Sequence, residues 1–91
     1  MGPERREILY SGMVQGVGFR WTTLRALDGL ALTGYVRNLR DGRVELVLEG
    51  EPGVIDEGLG QVRQALARYI QDETRAGSLA TGEFSDLSIR R

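Results

Sequence analysis

Apolar residues occupy both alternating sets of positions from Glu7 to Val14, with Ile8, Tyr10 and Gly12 on one side and Leu9, Ser11 and Met13 on the other. That pattern predicts a strand covered on both faces. Trp21, Leu24 and Leu27 then recur at helical spacing, and Leu30 extends the stripe, so a helix is expected over Trp21 to Leu30. Leu32 to Leu39 returns to a strand pattern, with Tyr35 and Val36 as its β-formers. Arg43 to Gly50 is a third strand, with Val44, Leu46 and Leu48 on one face and Glu45, Val47 and Glu49 on the other. The link between these two strands carries Asp41-Gly42, a strong tight-turn signal that makes them antiparallel neighbours.

Pro52-Gly53 breaks the pattern, and proline is well placed at a helix start. Ile55, Leu59, Val62 and Leu66 follow at offsets of four, three and four, an amphipathic helix whose opposite face carries Gln61, Arg63, Gln64 and Arg68. Gly58 and Gly60 lower its intrinsic stability by about 1 kcal/mol each relative to alanine. Tyr69 to Ala76 reads as a weak strand, too polar for the centre of a sheet, and Gly77 to Gly82 as a loop. Phe84 to Ile89 is a short last strand. Phe84 and Leu87 fall on opposite parities, so a bulge is expected near Ser85-Asp86. The order β-α-β-β-α-β plus a short C-terminal strand predicts an α+β fold. This is a ferredoxin-like αβ sandwich with two helices on one face of a mainly antiparallel sheet. Residues 1–91 are expected to form a single domain.

Composition narrows the chemistry more than the architecture. The 91 residues are 41% hydrophobic and 27% charged with a formal net charge of −1, and nothing in that balance favours attraction to nucleic acid or a membrane surface. All 12 basic residues are arginine. With no cysteine, histidine or lysine in the chain, disulfides, zinc–thiolate sites, thiol nucleophiles, imidazole general bases and Schiff bases are excluded. Catalysis would have to rest on arginine, carboxylates, amides, hydroxyls or the backbone. Met1 to Arg6 precedes no apolar h-region and no run reaches transmembrane length, so a cytoplasmic protein is expected.

The segment Gly12-Met13-Val14-Gln15-Gly16-Val17-Gly18-Phe19-Arg20 lies between the first strand and the first helix. A glycine-rich turn at a helix N-terminus points several backbone N–H groups one way, and an arginine adds a planar fork suited to phosphate. The segment therefore reads as an anion cradle. It is not a P-loop, which needs a lysine, and not a dinucleotide fingerprint, because Phe19, Arg20 and Trp21 follow Gly16-Val17-Gly18 with no third glycine. The competing view makes the glycines turn-formers and Arg20 a solvated first-turn residue. Asn38 is a second candidate, since a carboxamide can orient a water through one accepted and one donated hydrogen bond. It could equally bond its own backbone at the hairpin end. The acidic positions Glu45, Glu49, Glu51, Asp56 and Glu57 are expected to be solvated, as are Arg37, Arg40 and Arg43 around the hairpin.

Gly12-x-Val14-Gln15-Gly16-Val17-Gly18-Phe19-Arg20 resembles the signature of the acylphosphatase family. Gly34-Tyr35-Val36-Arg37-Asn38-x-x-Asp41-Gly42-x-Val44-Glu45 resembles that family's second block, and the separation 38 − 20 = 18 fits as well. The likeness is strong over residues 7–50 and weaker through the second helix to Phe84–Ile89. Tyr35 stands where the pattern usually has tryptophan, Ala31 where it has a helix-ending glycine, and the region after Leu66 lacks a valine-rich strand. The resemblance implies hydrolysis of acyl phosphates to a carboxylate and inorganic phosphate, with no metal or organic cofactor. By position, Arg20 would bind the phosphoryl group, Asn38 would place the attacking water, and the N–H groups of Gln15, Gly16, Val17, Gly18, Phe19 and Arg20 would complete the cradle. A small-molecule substrate, a monomer and no nucleic-acid or membrane partner follow as expectations. A non-catalytic anion-binding or regulatory domain is the alternative, and an RNA-binding module is disfavoured by the few aromatics and the slight acidity. The signature also opens larger hydrogenase-maturation carbamoyl-transfer proteins. The chain reaches Arg91 without their cysteine-rich zinc segments, so the free-standing form is expected.

Overall fold

Two adjacent strands, β1 (Glu4–Gly12) and β3 (Val44–Gly50), run antiparallel through the middle of the sheet in the computed structural model, which describes residues 2–91. The five strands stand in the order β4-β1-β3-β2-β5, with β2 at Thr33–Asn38, β4 at Ile70–Leu79 and β5 at Leu87–Arg90. All neighbours are antiparallel except β2 and β5. The helices α1 (Phe19–Leu27) and α2 (Pro52–Leu66) cover one face, and a 3-10 turn at Ala67–Tyr69 leads from α2 into β4. The ferredoxin-like sandwich expected from the element order is the fold observed.

The core follows from the alternation. Ile8, Tyr10, Val36, Val44, Leu46 and Leu48 point from the sheet towards Phe19, Leu27, Ile55, Leu59, Val62 and Leu66 of the helices, all at 2% exposure or less. Gly58 is a packing residue: a Cβ there would stand 2.7 Å from Leu27 Cδ2, so α2 can approach α1 only without one.

Several boundaries differ from expectation. β1 starts at Glu4 rather than Glu7, because Arg5 and Arg6 are satisfied by ion pairs with Glu7, Glu49 and Glu83, and with Glu4 and Asp56 respectively. It stops at Gly12, where the register with β4 shifts and the Met13 N–H donates to Tyr69 O at 2.9 Å. The bulge is therefore here and not at Ser85-Asp86. Helix α1 begins at Phe19 and ends at Leu27, with Gly29 just beyond at φ 84°. Its buried face is Phe19, Thr23 and Leu27, spaced by four. Trp21 stands roughly 200° around the helix from Phe19 and is 59% exposed, so it is not the core residue that the spacing suggested. Gly77 to Leu79, expected in a loop, extend β4 by pairing with Arg6, Arg5 and Glu4. β4 is an edge strand, in keeping with its polarity. Phe84 lies outside β5 and packs edge-on against Tyr35 at 5.7 Å between ring centroids.

The segment between β4 and β5 straps the sheet face opposite the helices, which hides Val47 and Tyr35. Glu49 anchors it. Expected to be solvated, Glu49 is only 4% exposed. Its carboxylate accepts hydrogen bonds from Thr81 N, Thr81 Oγ1 and Gly82 N at 2.9–3.0 Å and from Arg5 at 3.4 Å. Burial pushes the Glu49 carboxyl up, but the N–H donors of Thr81 and Gly82, then the Thr81 hydroxyl and Arg5, outweigh burial and hold it below the usual carboxylate range. A carboxyl lowered on folding contributes stability above its unfolded value of about 4.3, lost as pH falls through the folded value. Glu49→Gln is therefore expected to cost about 1–3 kcal/mol at pH 7. The gap to wild type should close in acid, as read by urea unfolding at pH 7 and pH 3.

Candidate active site

The loop between β1 and α1 is pinned at both ends by the core. Val14 is fully buried, and Phe19 is 2% exposed with its ring 5.3 Å from that of Tyr10. Burial, followed by the nearby Glu73 carboxylate, pushes the Tyr10 phenol above its ordinary value, so it stays neutral beneath the loop. Between the pins the chain turns through Gly16 at φ 80° and Gly18 at φ 72°, left-handed conformations that a side chain would strain. Gly18 is the N-cap of α1, and no side chain caps the helix. Thr22 N donates to Gly18 O, and the N–H groups from Gln15 to Trp21 have no acceptor among the described residues. Those donors and the positive end of α1 favour an anion.

A cavity of about 150 Å³ opens at this turn. Gly16, Gly18, Phe19 and Arg20 line it from the loop and helix start, Asn38 from the end of β2, and Val14, Trp21 and Ile89 complete it. Arg20 is the only charged residue in the lining, is half-buried, and makes no ion pair among the described residues. Around the hairpin, by contrast, Arg37 pairs with Glu45 at 2.7 Å and Arg43 with Asp41 at 2.8 Å. The Oδ1 atom of Asn38 is buried and has no hydrogen-bond partner. Asn38 thus does not bond its own backbone through that oxygen. The volume suits a phosphoryl group and falls short of the roughly 300–1,000 Å³ typical of pockets for drug-sized ligands. A larger hollow of about 310 Å³ near Arg63 and Asp72 lacks this convergence, because Arg63 is taken up by Glu73.

Four of the six proposed cradle residues reach the cavity. Gln15 and Val17 do not line it. Val17 packs against the core. The Gln15 side chain turns to the β2–β3 hairpin, and its Nε2 donates to Leu39 O at 2.8 Å and Arg43 O at 3.0 Å. It ties the loop that carries Arg20 to the hairpin that carries Asn38. Trp21 and Ile89 were missed as site residues. The only sequence signal for Trp21 was its place one residue after Arg20 and out of phase with Phe19, Thr23 and Leu27. No signal marked Ile89, which enters the site through β5 pairing beside β2. No group of three or more acidic, histidine or cysteine side chains is placed to hold a metal ion among the described residues, and no helix there is long and apolar enough to cross a membrane.

Residues 6–80 match the acylphosphatase family model. The acylphosphatase of Methylococcus capsulatus is 42% identical over 90 residues, covering 97% of each chain. That of Marinobacter nauticus is 46% identical over 84 residues, 91% of each chain. The crystal structure of acylphosphatase from Bacillus subtilis superposes with a TM-score of 0.87 at 29% identity, over 97% of this chain and 99% of that one. These likenesses favour a hydrolase over a non-catalytic anion-binding domain. The chain belongs to the acylphosphatase family and is an acyl phosphate hydrolase.

Proposed function

We propose that Arg20 and the open N–H groups of the loop hold the phosphoryl group of an acyl phosphate, while Asn38 aligns the attacking water. The observation that carries this reading is that Arg20 and Asn38 line one cavity, with the Asn38 Oδ1 left buried and without a hydrogen-bond partner. A buried acceptor without a partner costs about 1–3 kcal/mol, a cost the substrate-free enzyme carries until the water placed with the substrate donates to it. The water oxygen attacks phosphorus, and the bond from phosphorus to the acyl oxygen breaks. The carboxylate leaves with the electron pair, and a phosphoryl oxygen accepts the water's proton. A carboxylate is a weak base and leaves without protonation, so a site with no acid in its lining suffices. Charge on the equatorial oxygens of the loose transition state meets Arg20 and the N–H groups, so positioning and electrostatics supply the rate. Residues 1–91 acting as one monomeric unit in the cytoplasm, with no metal, belong to the same reading. It is supported by a cavity to which one chain brings Arg20, Asn38 and the loop N–H groups together, and by the cofactor-independent chemistry of the leaving group.

The test is hydrolysis of acetyl phosphate with and without a chelator. The expected result is turnover unchanged by the chelator and competitive inhibition by inorganic phosphate, the product that the cradle would retain. Activity that required an added divalent cation, or inhibition by phosphate that did not compete with substrate, would overturn the mechanism.

A further inference from the structure

Four large hydrophobic residues remain exposed among the described residues: Met13, Trp21, Leu79 and Ile89. Isolated exposed apolar side chains are ordinary, but two of these four line one cavity, the one holding Arg20 and Asn38. Trp21 is 59% exposed and Ile89 38%. Trp21 also walls an adjoining groove of about 390 Å³ along α1, with Leu24, Arg25 and Asp28. The Arg25 guanidinium lies over the indole at 4.7 Å from the ring centroid, a contact that orders the ring while leaving much of it open.

The cavity of about 150 Å³ is too small for a phosphoryl group together with a bulky acyl group, so with the phosphoryl group on Arg20 a large acyl part must reach its mouth. Helix geometry sets Trp21 one residue, roughly 100°, around from Arg20. Anything bonded to a phosphoryl group on Arg20 and directed out of the cavity on that side meets the indole. We propose that Trp21, with Ile89, forms the acyl subsite and makes the enzyme selective for acyl phosphates with a flat aromatic or branched apolar acyl group over small ones. The inference rests on the phosphoryl-binding reading of the cavity. Burial of a further 50–60 Å² or so of apolar surface corresponds to about a tenfold gain in transition-state binding. An aromatic ring laid on an exposed indole covers an area of that order.

The experiment compares kcat/KM for benzoyl phosphate and acetyl phosphate in wild type, Trp21→Ala, Trp21→Phe and Ile89→Ala, with melting curves for each. Wild type should favour benzoyl phosphate about tenfold. Trp21→Ala should erase that ratio, Trp21→Phe should keep most of it, and Ile89→Ala should reduce it by a smaller factor. A ratio near one in wild type, or a ratio unchanged in Trp21→Ala while hydrolysis persists, would overturn the acyl subsite alone and leave the indole as a docking face for something other than substrate. A folded wild-type protein that hydrolyses neither compound would overturn the phosphoryl reading, and the subsite with it.

Discussion

Arg20→Ala is expected to lower kcat/KM for acetyl phosphate by about 1,000-fold, some 4 kcal/mol of transition-state stabilisation. The loss should appear in KM and in kcat, because the guanidinium meets phosphoryl charge in the ground state and more of it in the transition state. Inhibition by inorganic phosphate should weaken in parallel. Arg20→Lys should recover only part of the loss, since an ammonium restores the charge but not the planar fork. Folding should not suffer. Arg20 is half-buried, makes no ion pair among the described residues and sits at the positive end of α1. Removing its charge there should if anything raise stability, by about 0.3–1 kcal/mol. A large catalytic loss with an unchanged or slightly higher melting temperature therefore distinguishes a site residue from a structural one. Hydrolysis by the Arg20→Ala protein within a few-fold of wild type would remove Arg20 from the mechanism.

The parts of this site that could be read from the sequence are those that depend on local backbone geometry. Gly16 and Gly18 announce a left-handed turn, and their place before an apolar helix stripe announces open N–H groups; both glycines have positive φ. The hairpin at Asp41-Gly42 fixes Asn38 opposite Val44. What could not be read depends on which element lies beside which. Gln15 holds two carbonyls 24 and 28 positions away, a contact that no periodicity encodes. Trp21 matched a helical spacing with Leu24 and Leu27. The helix instead starts at Phe19, and the small polar Thr23, fully buried, occupies the face that the larger residue seemed to claim. Glu49 alternates correctly onto the face away from the helices, and the sequence suggested water there. The strap through Thr81 and Gly82 covers it instead, and its N–H groups replace the water. The edge strand β4 was legible in kind but short by three residues, because Gly77 to Leu79 have little strand propensity of their own and are held by pairing with β1.

Asn38→Ala should separate water placement from phosphate binding. Turnover is expected to fall by about 100- to 1,000-fold, the range for losing one preorganised polar partner of a transition state. KM and the inhibition constant for phosphate should change little, because Asn38 faces the water and not the phosphoryl group. Arg20→Ala, by contrast, should change KM, phosphate inhibition and turnover together. Stability moves the other way from activity. Asn38 Oδ1 is buried without a partner, so wild type carries the desolvation cost of an unmade hydrogen bond, about 1–3 kcal/mol. Alanine removes the acceptor and with it that cost, so the variant should melt no lower than wild type despite the lost side-chain contacts. Asn38→Asp keeps an acceptor oxygen in the same place but sets a carboxylate beside the bound phosphoryl group. Its phosphate inhibition should therefore weaken where that of Asn38→Ala does not. A variant that is both less stable and unchanged in turnover would mean that the carboxamide serves the hairpin and not the water.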